Sequence, residues 1–178
     1  RKALIFCLPN NSNLARWKLK DVGTCANCEK IEAQLHVFSN CVNCLDRFKW
    51  RHDSILNSIL TKISTCSNSC MQIFADCPGT EKSFKCPSEL LTSKRPDVVL
   101  KIGNRVIVLE LTVCFETNTT KSRKYKEHRY KNLKDELIIP CDCFHIIFLE
   151  ITCLGFISKQ SYVPFKKLLN ELDLNVDR

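Results

Sequence analysis

The chain has 178 residues, which is enough for one domain of ordinary size, or for a small module beside a larger one, with a buried core. Its formal net charge of +8 favours polyanionic partners, with nucleic acid first and an anionic membrane surface second. Its thirteen cysteines would suit a secreted disulfide protein, but their odd number and an N-terminal apolar patch too short for a signal peptide favour a reducing, intracellular compartment.

The first segment, residues 1–24, is basic and rich in Asn, and is interpreted as a lead-in or linker. The chain begins with Arg rather than Met, from which we expect a fragment of a longer protein. No apolar run is long enough to span a membrane.

The next segment, residues 25–64, is predicted to contain a metal-binding module followed by a helix. Its potential ligands have the spacing Cys-x2-Cys-x7-His-x4-Cys and are Cys25, Cys28, His36 and Cys41. Three thiolates and one imidazole are the soft ligand set that zinc takes in closed structural sites. We therefore predict a structural zinc ion here. Cys44 could replace Cys41 as the fourth ligand, and a disulfide arrangement is the competing interpretation.

A helix is predicted from about Leu45 to Ser64, because apolar residues recur there at the spacing of one helix face. These positions are Phe48, His52, Ile55, Leu56, Ile59, Leu60 and Ile63. Arg47 and Arg51 lie largely off this face and are predicted to point outward, where they could contact phosphate groups.

Residues 65–94 are predicted to form an irregular connection with a short strand at Met71–Phe74. We expect its cysteines to be free thiols, although a second metal site remains an alternative; they are Cys66, Cys70, Cys77 and Cys86. A domain boundary is predicted within this connection.

From Arg95 to the C-terminus the pattern predicts a mixed α/β domain, residues 95–178, with the order strand, strand, helix, strand, helix. The predicted elements are Val98–Lys101, Val106–Phe115, Thr119–Leu137, Phe144–Thr152 and, after Pro164, Phe165–Leu172.

Two acidic residues are predicted to face each other across the first two of these strands. Gly103 and Asn104 form a two-residue hairpin signal, and counting outward from them places Asp97 directly opposite Glu110. Two neighbouring carboxylates in an apolar setting repel each other unless a cation lies between them. Magnesium suits such a pair and supports phosphodiester hydrolysis. The alternative is that Asp97 caps a loop and Glu110 pairs with a surface lysine.

The following helix opens with a basic sequence in which Lys121 and Lys124 share one face. If both point towards the acidic pair, a lysine could orient the attacking water or stabilise the transition state. The alternative is an ordinary solvated basic face, which, over Lys121–Lys134, could contact phosphate groups.

Taken in this order, the motifs resemble the C-terminal region of non-LTR retrotransposon polyproteins that carry a restriction-like endonuclease. The family's CCHC knuckle is similar to the Cys and His set above, and its Arg-His pair is similar to Arg51-His52. Its PD-(D/E)xK nuclease core resembles Arg95-Pro96-Asp97 and Glu110-Leu111-Thr112. Thr112 stands where the lysine is expected, but the family displaces that lysine to the next helix in a K-x-x-K-Y arrangement, similar to Lys121, Lys124 and Tyr125.

The resemblance implies a restriction-endonuclease-like mixed sheet flanked by helices and preceded by a small zinc knuckle and an amphipathic helix. It implies a DNA endonuclease that nicks target DNA to prime reverse transcription, with Asp97 and Glu110 holding magnesium or manganese and Lys124, seconded by Lys121, assisting. The implied nucleic-acid contacts are Arg47, Arg51, His52, Lys121, Arg123, Lys124 and Tyr125.

The implied partners are target DNA, element RNA and an upstream reverse transcriptase domain of the same polyprotein, in the nucleus and with no membrane. The alternative function is a catalytically inactive, zinc-stabilised nucleic-acid-binding module derived from such an element. A secreted disulfide-rich interaction domain is the third possibility.

Overall fold

A computed structural model describes residues 7–65, 71–77, 94–137 and 141–172. The chain divides into two compact units, Arg1–Trp50 and Arg51–Arg178. The described cysteines are free thiols, whereas Cys66, Cys70 and Cys86 lie outside the described residues. Within the part of the chain that is described, no helix combines the length and the apolarity that a membrane crossing requires.

The N-terminal unit is built from short helical turns and loops. Helix α1, Asn11–Arg16, lies within the predicted lead-in and is capped by Asn10, whose side chain accepts a hydrogen bond from the Asn13 N–H at 2.9 Å. A π-helical turn, His36–Asn40, and a 3₁₀ turn, Val42–Cys44, follow later in the unit. These turns contain His36, one of the predicted metal ligands, and precede the long helix that the apolar spacing predicts.

Helix α2 runs from Leu45 to Thr65, within one residue of the predicted end. The predicted inward face is confirmed for the second half of the helix, where Leu56, Leu60 and Ile63 are buried. Burial of this apolar stripe against the sheet stabilises the helix more than its intrinsic propensity does.

The C-terminal unit contains a four-stranded mixed sheet with the order β1-β2-β3-β4. The strands are β1, Met71–Ala75; β2, Val98–Ile102; β3, Arg105–Cys114; and β4, Cys143–Thr152. The first three strands are antiparallel, whereas β3 and β4 are parallel. A parallel pair needs a crossover connection, and helix α3, Thr119–Arg129, lies in it. Helix α4, Lys159–Glu171, follows β4. The predicted α/β class with a mixed sheet is confirmed.

Apolar residues cover both faces of this sheet. One cluster joins α2 and α4 to the sheet, through residues such as Leu56 and Leu168 packed with Leu109 and Leu149. The second cluster, on the other face, contains Val99, Val106, Val108, Tyr130 and Leu133. Since successive side chains of a strand alternate between faces, Glu110 lies on the face of Val106 and Val108.

Two helix boundaries differ from the sequence-based expectation. Helix α3 ends at Arg129, and turns rather than helix continue to residue 136. Helix α4 begins at Lys159, six residues before the predicted start, and contains Pro164. The Ser158 side chain caps it by accepting from the Ser161 N–H at 3.2 Å. The cap and the buried residues of α4 offset the one backbone hydrogen bond that Pro164 cannot donate.

Candidate functional site

The N-terminal unit brings the four predicted metal ligands together. The ligand atoms of Cys25, Cys28, His36 and Cys41 all lie within 4.8 Å of one another. The sulfur of Cys41 is 3.9 Å from that of Cys25 and 4.0 Å from that of Cys28, and Cys28 Sγ is 3.2 Å from His36 Nε2. In a tetrahedral site with Zn–S bonds of about 2.3 Å, sulfur atoms are about 3.8 Å apart. The side chains therefore form a Cys3His group that could bind a metal ion such as zinc.

A tight loop sets the positions of the first two cysteines. The Cys25 N–H donates to the Lys30 carbonyl at 2.8 Å, and the Glu29 N–H donates to the Cys25 carbonyl at 2.9 Å. Glu29 has a φ of 61°, in the left-handed region that few residues other than Gly adopt. The loop thereby returns the chain on itself and leaves Cys25 and Cys28 close enough to bind one metal ion together.

The choice of fourth ligand and the chemistry of one thiol, Cys25, agree with a metal site, whereas burial raises the pKa of the Cys41 thiol. The Asn27 N–H donates to Cys25 Sγ at 3.4 Å, and this bond, with help from His36, lowers the pKa of Cys25 to about 7. The thiolate is the form that binds a metal ion. Cys41 belongs to the group, whereas Cys44 does not and instead lies 3.9 Å from Asn27 Nδ2.

In the C-terminal unit, the β2–β3 hairpin brings the two predicted acidic residues together. Ile102 pairs with Arg105, so Gly103 and Asn104 are the turn residues, as predicted. Only Gly103 of the two has a positive φ, 55°. The same register pairs Val98 with Leu109, which places the next residues outward, Asp97 and Glu110, opposite each other.

Each acidic side chain also bonds to the backbone of the opposite strand. Glu110 Oε2 accepts from the Asp97 N–H at 3.1 Å, and Asp97 Oδ2 accepts from the Leu111 N–H at 2.7 Å. These two bonds continue the hairpin ladder beyond β2 through side chains. They fix both carboxyl groups at the place where the hairpin opens.

Glu110 is the buried member of the pair, with 2 % of its surface exposed. Burial and the nearby Asp97 raise the pKa of Glu110 above its ordinary value, and the ion pair with Lys126 opposes them. That ion pair joins Lys126 Nζ to Glu110 Oε1. Tyr130, one turn further along the chain, is also buried and donates its hydroxyl to the Arg95 carbonyl at 3.3 Å. On the face of the sheet covered by α3, the cation of Lys126 and the phenol of Tyr130 therefore lie beside Glu110.

A histidine from α2 contacts the other acid. His52 Nε2 is 3.5 Å from Asp97 Oδ2, and His52 Nδ1 is 3.1 Å from Asp53 Oδ1. The contact with Asp97 raises the pKa of His52 to about 9, although partial burial opposes that rise. His52 is therefore protonated at neutral pH, and the acidic pair carries a cation on each side.

The lysine that contacts the acidic pair is not one of the two predicted catalytic lysines. Lys121 and Lys124 are both exposed, as is Tyr125, with 64 % of its surface accessible. Lys126 lies two residues beyond Lys124, which is about 200° around a helix, and reaches Glu110. The lysine beside the acidic pair is thus supplied by α3, but from a different position.

The Arg123 side chain, predicted as a nucleic-acid contact, forms a largely buried network of hydrogen bonds. Its guanidinium donates to Glu150 Oε2, with Nη2 at 2.9 Å and Nε at 3.1 Å, and to the Phe148 carbonyl at 2.9 Å. Ser161 of α4 also donates to Glu150 Oε2. Glu150 is 3 % exposed, so this network ties α3, β4 and α4 together at one point.

The remaining predicted nucleic-acid contacts lie on α2. Arg47 is exposed; it donates to the Val37 carbonyl, and its guanidinium lies 5.5 Å from the centre of the Phe48 ring. Arg51 is half-buried. His52, predicted as a nucleic-acid contact, instead touches Asp97.

Sequence reasoning missed two groups near the acidic pair, Lys126 and Asp53, and also Glu150 in the Arg123 network. The available signal for Lys126 was its spacing from Tyr130, since a large aromatic four residues away marks the inward face of a helix. No comparable local signal existed for Glu150, because its partner Arg123 comes from a different element.

Comparison with known proteins adds no identification. The chain matches no protein-family model. No curated protein matches it either. The structure itself supports a Cys3His group followed by a helix and a mixed four-stranded sheet.

Proposed function

We propose that the chain is a metal-dependent DNA endonuclease from the C-terminal region of a non-LTR retrotransposon polyprotein, of the restriction-like PD-(D/E)xK type. The observation that carries the proposal is the pairing of Asp97 with Glu110 across the hairpin, with Lys126 against Glu110. Two carboxylates and one lysine at the open end of a hairpin are group types that can support metal-dependent phosphodiester hydrolysis.

The donor set of the pair suits a hard divalent cation. Carboxylate oxygens are the ligands that magnesium and manganese take in proteins, and the pKa of Glu110, which burial and the nearby Asp97 raise, indicates that a cation would be favoured there. Asp97 and Glu110 would hold the ion. A metal ion bound there would supply an acidified water molecule and would neutralise charge on the phosphate.

The side chains around the pair have separate roles in this proposal. Lys126 provides a fixed positive charge beside Glu110, where negative charge develops on a phosphate group. Lys126 therefore takes the role that the resemblance assigns to Lys124 and Lys121. The backbone bonds of Asp97 and Glu110 hold the carboxyl groups in place, so little reorganisation is needed for reaction.

The Cys3His group would be a structural zinc knuckle. A closed Cys3His site contributes about 10–16 kcal/mol of apparent binding free energy in zinc-finger peptides, which suits a unit built from short turns. The basic residues of the chain, including Arg47 and Lys124, would contact phosphate groups of target DNA or element RNA. Action on chromosomal DNA, next to an upstream reverse transcriptase domain, places the protein in the nucleus.

The test is nicking of supercoiled plasmid by zinc-loaded protein with magnesium or manganese. Asp97→Asn and Glu110→Gln should each abolish nicking, and Lys126→Met should reduce it at least 100-fold by the usual scale of such groups. Glu127→Gln is the matched control, because Glu127 is an exposed carboxylate of α3, and it should nick normally.

The alternative function is an inactive nucleic-acid-binding module. Thr112 at the position of the expected lysine favours it. Folded, zinc-loaded wild-type protein that binds DNA with a strong salt dependence but never nicks it would establish this alternative.

A further inference from the structure

The segment that follows β4 exposes an unusual set of side chains. Helix α4 buries Ser161, Leu168 and Leu169, but its first two turns present aromatic, apolar and basic residues outward at helical spacing. Together with two residues of the preceding turn, this set is called the stacking surface. It consists of the exposed Leu154, Phe156, Lys159, Tyr162 and Val163 and the half-buried Lys166.

The turn that carries Phe156 is well held by its backbone. Gly155 has a φ of 80°, and its N–H donates to the Thr152 carbonyl at 2.9 Å. Thr152 and Phe156 exchange two more bonds of 2.9 Å each, one through the Thr152 hydroxyl. Phe156 is nevertheless 61 % exposed. An ordered turn that holds a phenyl ring in solvent offers a flat face at little conformational cost on binding.

The positive charge of this region favours an anionic partner. Between Ile151 and Asn170 the sequence has three lysines and no acidic residue. Lys166 Nζ lies 5.9 Å from the centre of the Tyr162 ring. Aromatic faces interleaved with lysines are typical of surfaces that bind the bases and the backbone of a nucleic-acid strand.

We propose that the stacking surface binds unpaired bases of a single DNA strand, with Phe156 and Tyr162 as stacking platforms. Unpaired bases are the specific occupant because both faces of a base in a duplex are already covered by its neighbours. The lysines contact the phosphate groups that flank those bases.

The position of the surface relates it to the acidic pair. Phe148 is the partner of Glu110 in the sheet, and Thr152 is the partner of Cys114, so the turn begins four residues, or about 13 Å, further along the strands. Ser161, next to Tyr162, is anchored to Glu150, which also binds Arg123, one turn before Lys126.

This inference rests on the proposed endonuclease for its functional meaning, which is that the enzyme acts on DNA that has unpaired bases near the cut. The binding itself is independent of cleavage. It can therefore be measured without added magnesium, so that a failure of nicking and a failure of stacking are separate results.

The experiment measures the affinity of the zinc-loaded full chain for a fluorescent single-stranded oligonucleotide and for the corresponding duplex, by anisotropy. Phe156→Ala and Tyr162→Ala should each weaken single-strand binding about tenfold, with less than a threefold change for the duplex. Phe156→Trp should bind as well as wild type, whereas Phe156→Leu should bind as weakly as Phe156→Ala, because only a ring can stack. Leu19→Ala, at a residue 74 % exposed in the other unit, should have no effect.

Three outcomes would overturn the inference. The first is wild-type single-strand affinity in Phe156→Leu, which would show that apolarity rather than stacking matters. The second is an equal loss for single strand and duplex. The third is unchanged DNA binding in Phe156→Ala together with lost binding to anionic lipid vesicles or lost self-association in light scattering, which would assign the surface to a membrane or to a second copy.

Discussion

Replacement of Lys126 by Met tests whether this lysine, rather than Lys124, neutralises the acidic pair. Met keeps the length of the side chain and removes the charge. Glu110 is 2 % exposed and would lose its cation, while Lys126 itself is 20 % exposed, so solvent weakens the pair only in part. Breaking a buried ion pair by removing one partner costs about 3–5 kcal/mol, and partial exposure places Lys126→Met at about 2–3 kcal/mol.

The ability of Glu110 to take up a proton limits this cost. With an ordinary pKa of 4.5 in the unfolded chain, a Glu that stays neutral in the folded state at pH 7 costs at most about 1.36 × (7 − 4.5), or about 3.4 kcal/mol. The same limit at pH 5 is about 0.7 kcal/mol. Because the pKa of Glu110 is raised on folding, its ionisation opposes folding above the unfolded pKa, and the penalty of Lys126→Met should disappear as the pH falls towards 4.5.

The assay is urea unfolding of zinc-loaded protein at pH 7 and pH 5, followed by circular dichroism. Lys124→Met is the matched control, since Lys124 is exposed on the same helix, and it should change the free energy of unfolding by less than about 0.5 kcal/mol at either pH. Equal effects of the two variants, or an effect of Lys126→Met that is the same at both pH values, would refute the reasoning.

Three further predictions concern the other sites. Cys28→Ser should abolish stoichiometric zinc binding while Cys44→Ser retains it, as measured by metal analysis after dialysis; equal losses would contradict the ligand set. The pKa of His52 is raised from 6.5 to about 9, so its contribution, at most about 3.4 kcal/mol, should be full below pH 6.5 and lost as pH rises through 9. Unfolding of wild type and His52→Ala between pH 6 and 10 checks this, and a constant difference would speak against it. Arg123→Lys should lower stability by about 1–3 kcal/mol in the same assay, because a lysine cannot replace the guanidinium bonds to Glu150, and an unchanged midpoint would show that the network contributes little.

The parts of the structure that the sequence predicts well depend on short stretches of chain. The turn at Gly103 and Asn104 sets the register of β2 and β3, so the pairing of Asp97 with Glu110 could be predicted by counting residues outward from the turn. The Cys3His group is similarly contained in 17 residues, from Cys25 to Cys41, and its spacing suits one metal ion.

Which lysine contacts Glu110 depends instead on how α3 is rotated about its own axis. A change of one residue turns a helix by about 100°, and the basic sequence around Lys124 has no buried residue within α3 to set that rotation. Tyr130 and Leu133, which do so, come after the helix ends. Likewise, the inward position of His52 followed from the apolar spacing of α2, but its contact with Asp97, 45 positions later, required the packed structure.

The two-residue turn between β2 and β3 also limits the insertions that this hairpin can accept. Strand side chains alternate between faces, so inserting one residue at Gly103 and Asn104, if the turn keeps two residues, would shift the pairing by one position and send Glu110 to the opposite face of the sheet from the one on which it now meets Lys126. An insertion of two residues would restore the face but would move Glu110 away from Asp97 along the strand. Insertions in this turn should therefore be tolerated only where a longer loop absorbs them and leaves the register of β2 and β3 unchanged.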